Sequence, residues 1–297
     1  MVMELHQLEY LLAVAEEASF TKAAARVHVT QPGVSAQIRR LERELGYELF
    51  DRSGRSVRLT EAGEAALPLA RAALSAVAAI GVLADEFSGV LRGHVAVGMM
   101  TSCPPDLITS TLAAFHDQHP GVDVTLTEAP SSELIEGLRG GTIQLAVVGF
   151  ASPPTGGVRV HVINDDVLVA AVGRRHTLVS RTTITPRTLV EYDLISLPHG
   201  SGIRTSLEEG CAAARLHARV ALEASNPEVV ADLAASGLGV AVLPQSYART
   251  RDDLHLVRLS RPTLRVRVGV AWRADMRLSP AATALVSLWQ RLSARAS

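Results

Sequence analysis

Val29-Thr30-Gln31-Pro32-Gly33-Val34-Ser35-Ala36-Gln37-Ile38-Arg39-Arg40-Leu41-Glu42-Arg43-Glu44-Leu45-Gly46 reads as one helix with both ends marked. Thr30 is a good N-cap, because its hydroxyl accepts a free backbone N–H of the first turn. Pro32 falls in that turn, where a missing N–H costs little. Gly46 follows the last apolar residue, the usual place for a left-handed cap. Val34, Ile38, Leu41 and Leu45 recur at helical spacing and predict a buried face. The opposite face carries Pro32, Ser35, Ala36, Arg39 and Arg43, small at its N-terminal end and cationic beyond. Alone, the stretch is an amphipathic surface helix. Its neighbours give it more meaning.

Upstream, 5–18 predicts a helix with an apolar stripe of Leu5, Leu8, Leu11, Leu12 and Ala15. Ser19 is placed to cap a short helix over 20–27, and His28-Val29-Thr30 is a tight turn. Helix, short helix, turn and helix make a helix-turn-helix. Downstream, 48–52 and 57–59 flank a Ser-Gly turn and predict a hairpin, which makes the unit a winged helix. Arg52, Arg55 and Arg58 put cations on that wing. Residues 1–60 hold 8 basic and 8 acidic residues. The basic ones gather on the third helix and wing, while Glu4, Glu9, Glu16 and Glu17 mark the first helix. This segregation suits phosphate contacts in a major-groove reader.

Thr60 is placed to cap a long helix over 61–87. It carries two apolar stripes, Leu67/Leu74/Val77/Ala84 and Leu69/Ala73/Ala76/Ile80/Leu83/Phe87. A helix apolar on two sides has to bury both, one on its own domain and the other on a second chain. From Leu91 strands and helices alternate. Strands are expected over 94–99, 122–127, 143–148, 167–172, 194–197, 220–223, 239–243 and 263–272. Helices are expected over 105–116, 131–139 and 203–215, from Asn226-Pro227 to Gly237, and from Ser279-Pro280 onward. Such alternation predicts parallel α/β sheets in two subdomains with a cleft between them.

The whole-chain balance is near neutral, with a net charge of −1 and Lys22 as the only lysine. Apolar residues reach 47% and charged residues 20%, the balance of a globular chain. Residues 1–6 carry no basic region leading into an apolar core, and the apolar window 65–84 contains Arg71. A cytoplasmic protein without signal peptide or membrane span is therefore expected. Cys103 and Cys211 provide no disulfide framework. Of the histidines only His116 and His119 have ligand-like spacing, and they end a helix. His199-Gly200-Ser201-Gly202 lacks the spacing of a serine-hydrolase turn. Gly237-x-Gly239 follows a helix and lacks a third glycine, so no dinucleotide fingerprint is present. These absences argue against an enzyme and against a metal cofactor.

The chain resembles the LysR-type transcriptional regulators. The match is densest from Phe20-Thr21-Lys22-Ala23-Ala24-Ala25 through Thr30-Gln31-Pro32-Gly33-Val34-Ser35, Ile38-Arg39-Arg40-Leu41-Glu42, Leu45-Gly46 and Leu49-Phe50-Asp51-Arg52 to Leu59-Thr60-Glu61-Ala62-Gly63. Gly237-Leu238-Gly239-Val240-Ala241-Val242-Leu243-Pro244 fits the family's layout late in the chain. The resemblance implies an N-terminal winged helix-turn-helix over 1–60, a linker and dimerisation helix over 61–88, and an effector-binding domain similar to periplasmic binding proteins over 89–297. That domain would divide into a first subdomain over 89–162 and 266–297 and a second over 163–265. Homodimers or dimers of dimers on promoter DNA are implied, with RNA polymerase as a further partner if the chain activates transcription. Half-sites would lie one or more helical turns apart, each ~34 Å.

By the same resemblance Gln31, Pro32 and Ser35 face bases or nearby phosphates. Thr21 contacts a phosphate, Arg52 and Arg55 lie on the wing near the backbone, and Thr30 and Arg39 complete the DNA-contacting set. Two positions depart from the family pattern. Ala36 stands where an arginine is frequent, and Gln144 where an aspartate is common. Helix capping is the competing explanation for Gln31 and Ser35. For the effector, strand ends and helix N-termini favour an anion. Thr101, Ser102, Ser201, Gly202 and Arg204 are expected to hold a small organic acid, with Phe150 as a wall. Ordinary N-capping also accounts for the hydroxyls, and a surface helix position for Arg204. Peroxide-sensing relatives carry two cysteines close together, one of them just ahead of the helix that begins here near Ile203. In this chain that region holds only Cys211, within the helix, so two inert thiols are expected.

Overall fold

The computed structural model describes residues 3–53, 57–86, 91–103 and 105–296. They form two compact units, one built from the first 90 residues and the other from Leu91 onward, with 139–142 grouped with the first.

The first unit opens with α1 (Leu5–Glu17), α2 (Phe20–Arg26) and α3 (Gln31–Leu45). The expected caps are present. Ser19 Oγ accepts Lys22 N, Thr30 Oγ1 accepts Gly33 N at 3.3 Å, and Gly46 ends α3 at φ +79°. A two-stranded wing, β1 (Phe50–Asp51) and β2 (Arg58–Leu59), pairs antiparallel. The core joins Leu8, Leu11, Val14, Ala23, Ala24, Val34, Ile38, Leu41, Leu49 and Phe50. The stripe expected on α1 is shifted. Leu5 is exposed, and Gln7 is buried instead. Gln7 is tolerated there because its amide accepts Glu4 N at 3.0 Å and donates to Gln37 at 3.2 Å.

The long helix α4 (Glu61–Glu86) is seated by Thr60. The Thr60 hydroxyl accepts Gly63 N at 3.1 Å and donates to Glu48 O at 2.6 Å. Ala66, Leu67, Ala70, Ala73 and Leu74 pack onto the winged helix. Leu69, Ala76, Val77 and Ile80 remain outside, with Leu69 71% and Ile80 67% exposed. Ala73 and Val77 therefore exchange stripes, and the expected positions of Leu83, Ala84 and Phe87 lie outside the described side chains.

The second unit holds β3 (Gly93–Met100), α5 (Pro105–Gln118), β4 (Val122–Ala129), α6 (Ser131–Arg139), β5 (Leu145–Phe150) and β6 (Val158–Gly173). A 3-10 turn (Thr177–Ser180), β7 (Thr183–Ile184), α7 (Pro186–Leu189), β8 (Leu194–Ser196), α8 (Gly202–Ala213) and β9 (Val220–Glu223) follow. The chain ends with α9 (Pro227–Ala235), β10 (Val240–Pro244), α10 (Gln245–Ala248), β11 (Leu254–Leu259), β12 (Arg265–Arg273) and α11 (Pro280–Ala296).

The strand order is β4-β3-β5-β12-β6-β10-β8-β9, with β11 and β7 joined beside β6. The expected all-parallel sheets are corrected to mixed ones. β3, β4 and β5 are parallel, as are β8, β9 and β10, but β12 runs antiparallel to β5 and β6, and β6 antiparallel to β10 and β11. The reason is β6 itself. Its residues 158–167 pair with β12, and 168–173 with β10 and β11. One 16-residue strand thus serves both halves, and the 162/163 boundary falls inside it. Each half keeps its own core, Val97, Phe115, Leu145, Val270 and Trp289 in one and Ala170, Ile195, Leu207, Val230 and Val242 in the other.

Gly63 sits where a side chain has no room, since a Cβ there would fall 2.1 Å from Leu49 O. Gly63→Ala is expected to destabilise the first unit by about 1–3 kcal/mol, the cost of overpacking. A thermal melt followed by circular dichroism measures it, and an unchanged melting temperature would refute this packing.

Candidate nucleic-acid interface and effector cleft

On α3 the exposed face is Gln31, Pro32, Ala36, Arg39, Arg40 and Arg43. Ser35 departs from expectation. It is only 8% exposed, and its hydroxyl accepts Arg39 Nη2 at 3.2 Å. Covered in this way, Ser35 positions Arg39 rather than lying bare on the outer face. Thr30 is engaged as the N-cap, while Thr21 is exposed on the first turn of α2. Arg55 lies outside the described residues.

The cations divide by their partners. Arg26 pairs with Glu16 and Glu17, and Arg40 with Glu44 and Glu4. Arg52 donates to Glu42 at 2.6 Å, and its guanidinium lies 5.1 Å from the Phe20 ring centre. Glu42 is 8% exposed, and its other oxygen accepts Leu49 N at 3.0 Å and Phe50 N at 3.3 Å. Arg52 is therefore a strut between wing and helix before it is anything else. Lys22, Arg39 and Arg43 have no carboxylate partner among the described residues, so they can meet phosphates without breaking an ion pair.

In the second unit, the loop 197–201 and the start of α8 lie against the end of β5 and the start of α6. Ser131 Oγ accepts Gly149 N at 3.0 Å, and Ser132 N donates to Gly200 O at 3.3 Å. A Cβ on Gly202 would fall 2.4 Å from Phe150 N, so the two backbones meet directly. Ser131 and Ser132 were missed in the sequence. They follow a strand and open a helix, the same signal that singled out Ser201.

Three expected effector contacts are placed differently. Arg204 is 6% exposed and its guanidinium is spent: Nε on Glu208 at 2.6 Å, Nη1 on Glu223 at 2.6 Å, Nη2 on His199 at 3.0 Å. It ties α8 to β9 instead of offering a free charge. The Ser201 hydroxyl is an N-cap, accepting Arg204 N at 3.2 Å and donating to Pro198 O at 2.8 Å. Phe150 is a core residue, its ring edge lying close over Gly269. Thr101 and Ser102 keep hydroxyls with no hydrogen-bond partner among the described residues. Burial and the Glu128 carboxylate push the Cys103 thiol up to about 12, and burial raises that of Cys211. Both therefore lack the thiolate character of a reactive sensor. Among the described residues no cluster of His, Cys, Asp and Glu suits a metal, and no helix is long and apolar enough to cross a membrane.

The family model for the lysR bacterial regulatory helix-turn-helix matches residues 5–64, and that for the LysR substrate binding domain matches 88–293. This chain belongs to the LysR family. LysR regulators are DNA-binding transcription regulators with an effector-binding domain. The transcriptional activator CmpR of Synechocystis sp. is 30% identical over 240 residues, 80% of this chain and 78% of CmpR. A full-length OxyR variant from Pseudomonas aeruginosa is similar in structure, with TM-score 0.76 and 27% identity over 99% of this chain and 95% of that one. CbnR, solved in complex with its target DNA, gives TM-score 0.61 and 27% identity over 97% and 99%.

The division of cations yields a test by salt titration of anisotropy on a duplex carrying the chain's own upstream region. Arg39→Ala or Arg43→Ala is expected to lower the salt slope by about one, as for a lost phosphate contact, with stability unchanged within about 0.5 kcal/mol. Arg52→Ala is expected to lower affinity and melting temperature together. An Arg52→Ala protein as stable as wild type would contradict the strut.

Proposed function

We propose that this LysR-type regulator changes its promoter binding in response to a small organic acid held where α6, α8 and the end of β5 converge. The observation that carries this reading is the convergence of two helix N-termini on one strand end. Each brings partial positive charge, and together they favour an anion without a free cation. With Arg204 neutralised, the acid is held by backbone N–H groups and by the Thr101 and Ser102 hydroxyls. Binding favours one closure of the two halves about β6 and β12, and in an oligomer this resets the spacing of the DNA-reading heads.

The oligomer is a homodimer or a dimer of dimers, built on the exposed Leu69, Ala76, Val77 and Ile80 face of α4. Gln31 and Pro32 read bases, with Thr21, Arg39 and Arg43 on phosphates and Ser35 orienting Arg39. Arg55 belongs to the same set by the family resemblance. The protein acts in the cytoplasm, and RNA polymerase is a partner where it activates.

Thermal-shift screening of small acids tests the effector. At least one acid is expected to raise the melting temperature of wild type and of Arg204→Gln, and to lose that effect in the Thr101→Ala/Ser102→Ala variant. No response to any acid, or the absence of any acid whose response is lost in the double substitution, would overturn the assignment.

A further inference from the structure

In the second half a cavity of about 410 Å³ is lined by Val169, Gln245, Arg249, Leu256 and Arg258, none of them on α6 or α8. The strand register builds it. Val169 of β6 lies between Leu243 of β10 and Arg258 of β11. Leu256 and Arg258 are alternate residues of β11 and share one face. α10 follows β10 directly and supplies Gln245, and Arg249 is its C-cap. With its amide turned so that the oxygen faces Arg249, Gln245 accepts from Arg249 Nε at 3.0 Å and from Nη2 at 2.5 Å. Arg258 is exposed and has no side-chain hydrogen bond or ion pair among the described residues.

No carboxylate lines the cavity. Asp166, close by at the start of α10, is occupied by Val167 N at 2.7 Å and Ser246 N at 2.9 Å. Neighbouring arginines differ. Arg251 is neutralised by Asp232 and Asp253, and Arg265 and Arg267 by Asp165. Two guanidinium groups without a carboxylate partner among the described residues, beside a small apolar area given mainly by the half-buried Leu256, match the chemistry of an anion with a short apolar body. The volume falls within the range of about 300–1,000 Å³ typical of small-molecule pockets.

We propose that this cavity is a second small-molecule site, separate from the cleft, for a monocarboxylate with a short aliphatic or aromatic body. The carboxylate takes charge-assisted hydrogen bonds from Arg249 and Arg258, and the body covers Val169 and Leu256. Inorganic phosphate would find the charges but no use for the apolar area, and a neutral amide the reverse.

Isothermal titration of the full chain with phenylacetate and hexanoate tests it, with phosphate and phenylacetamide as controls. Both carboxylates are expected to bind at least about tenfold more tightly than either control. Arg249→Gln and Arg258→Gln are each expected to weaken them by about tenfold without changing the melting temperature. Thr101→Ala/Ser102→Ala is expected to leave them unchanged, which separates this site from the cleft. The proposal is overturned by absence of carboxylate binding, by phosphate binding equally well, by indifference to Arg258→Gln, or by loss in the cleft variant.

Discussion

The DNA-reading head depends on the carboxylate of Glu42. It is carried on the inner side of α3 and collects the amides of Leu49 and Phe50 together with the guanidinium of Arg52. A two-residue hairpin pair has little stability of its own. Here its first strand is held to the helix by three donors on one buried acid, and Phe20 packs edge-on against Phe50 at 5.7 Å. Removing the acid would strand two amides and a cation in a nearly closed site, a far larger loss than that of a surface ion pair. Wing and α3 therefore move as one body. Among the described residues Lys22, Arg39 and Arg43 have no carboxylate partner, and Arg58 on β2 faces Asp51 across the wing without an ion pair.

The second unit is organised by continuity rather than by one contact. β6 and β12 pair over 158–167 and 265–273, and β6 then continues into the other half. The halves are thus hinged on strands that cannot slide without breaking register. Where they meet, glycine makes the contact possible, because Gly202 backs onto Gly149 and Phe150 with no space for a methyl group. Arg204, at the start of α8, is already satisfied by Glu208, Glu223 and His199.

Much of this was legible because it is local. The caps at Ser19, Thr30 and Asn226 stand where single residues before apolar runs placed them, since an N-cap needs only its own turn. Strand direction was not legible, because the antiparallel partners of β6 lie 70 to 115 residues away in sequence and periodicity carries no pairing information. β11 escaped notice because Leu254-His255-Leu256-Val257-Arg258-Leu259 has no clean alternation, with buried residues on both of its faces. Charge roles were the hardest to foresee. Glu208 sits four residues after Arg204, so that pair follows helix spacing. Glu223 and Glu42 reach their arginines only through the fold.

The most direct measurement is amide hydrogen exchange at Leu49 and Phe50 in wild type and Glu42→Ala. If Glu42 fastens the wing to α3, both amides are protected in wild type nearly as well as those of Ile38 and Leu41. In the variant they exchange faster by roughly tenfold or more, the loss of about one buried hydrogen bond each, while Leu11 and Val14 stay protected. Fast exchange at Leu49 and Phe50 in wild type, or protection unchanged by Glu42→Ala, would contradict the account.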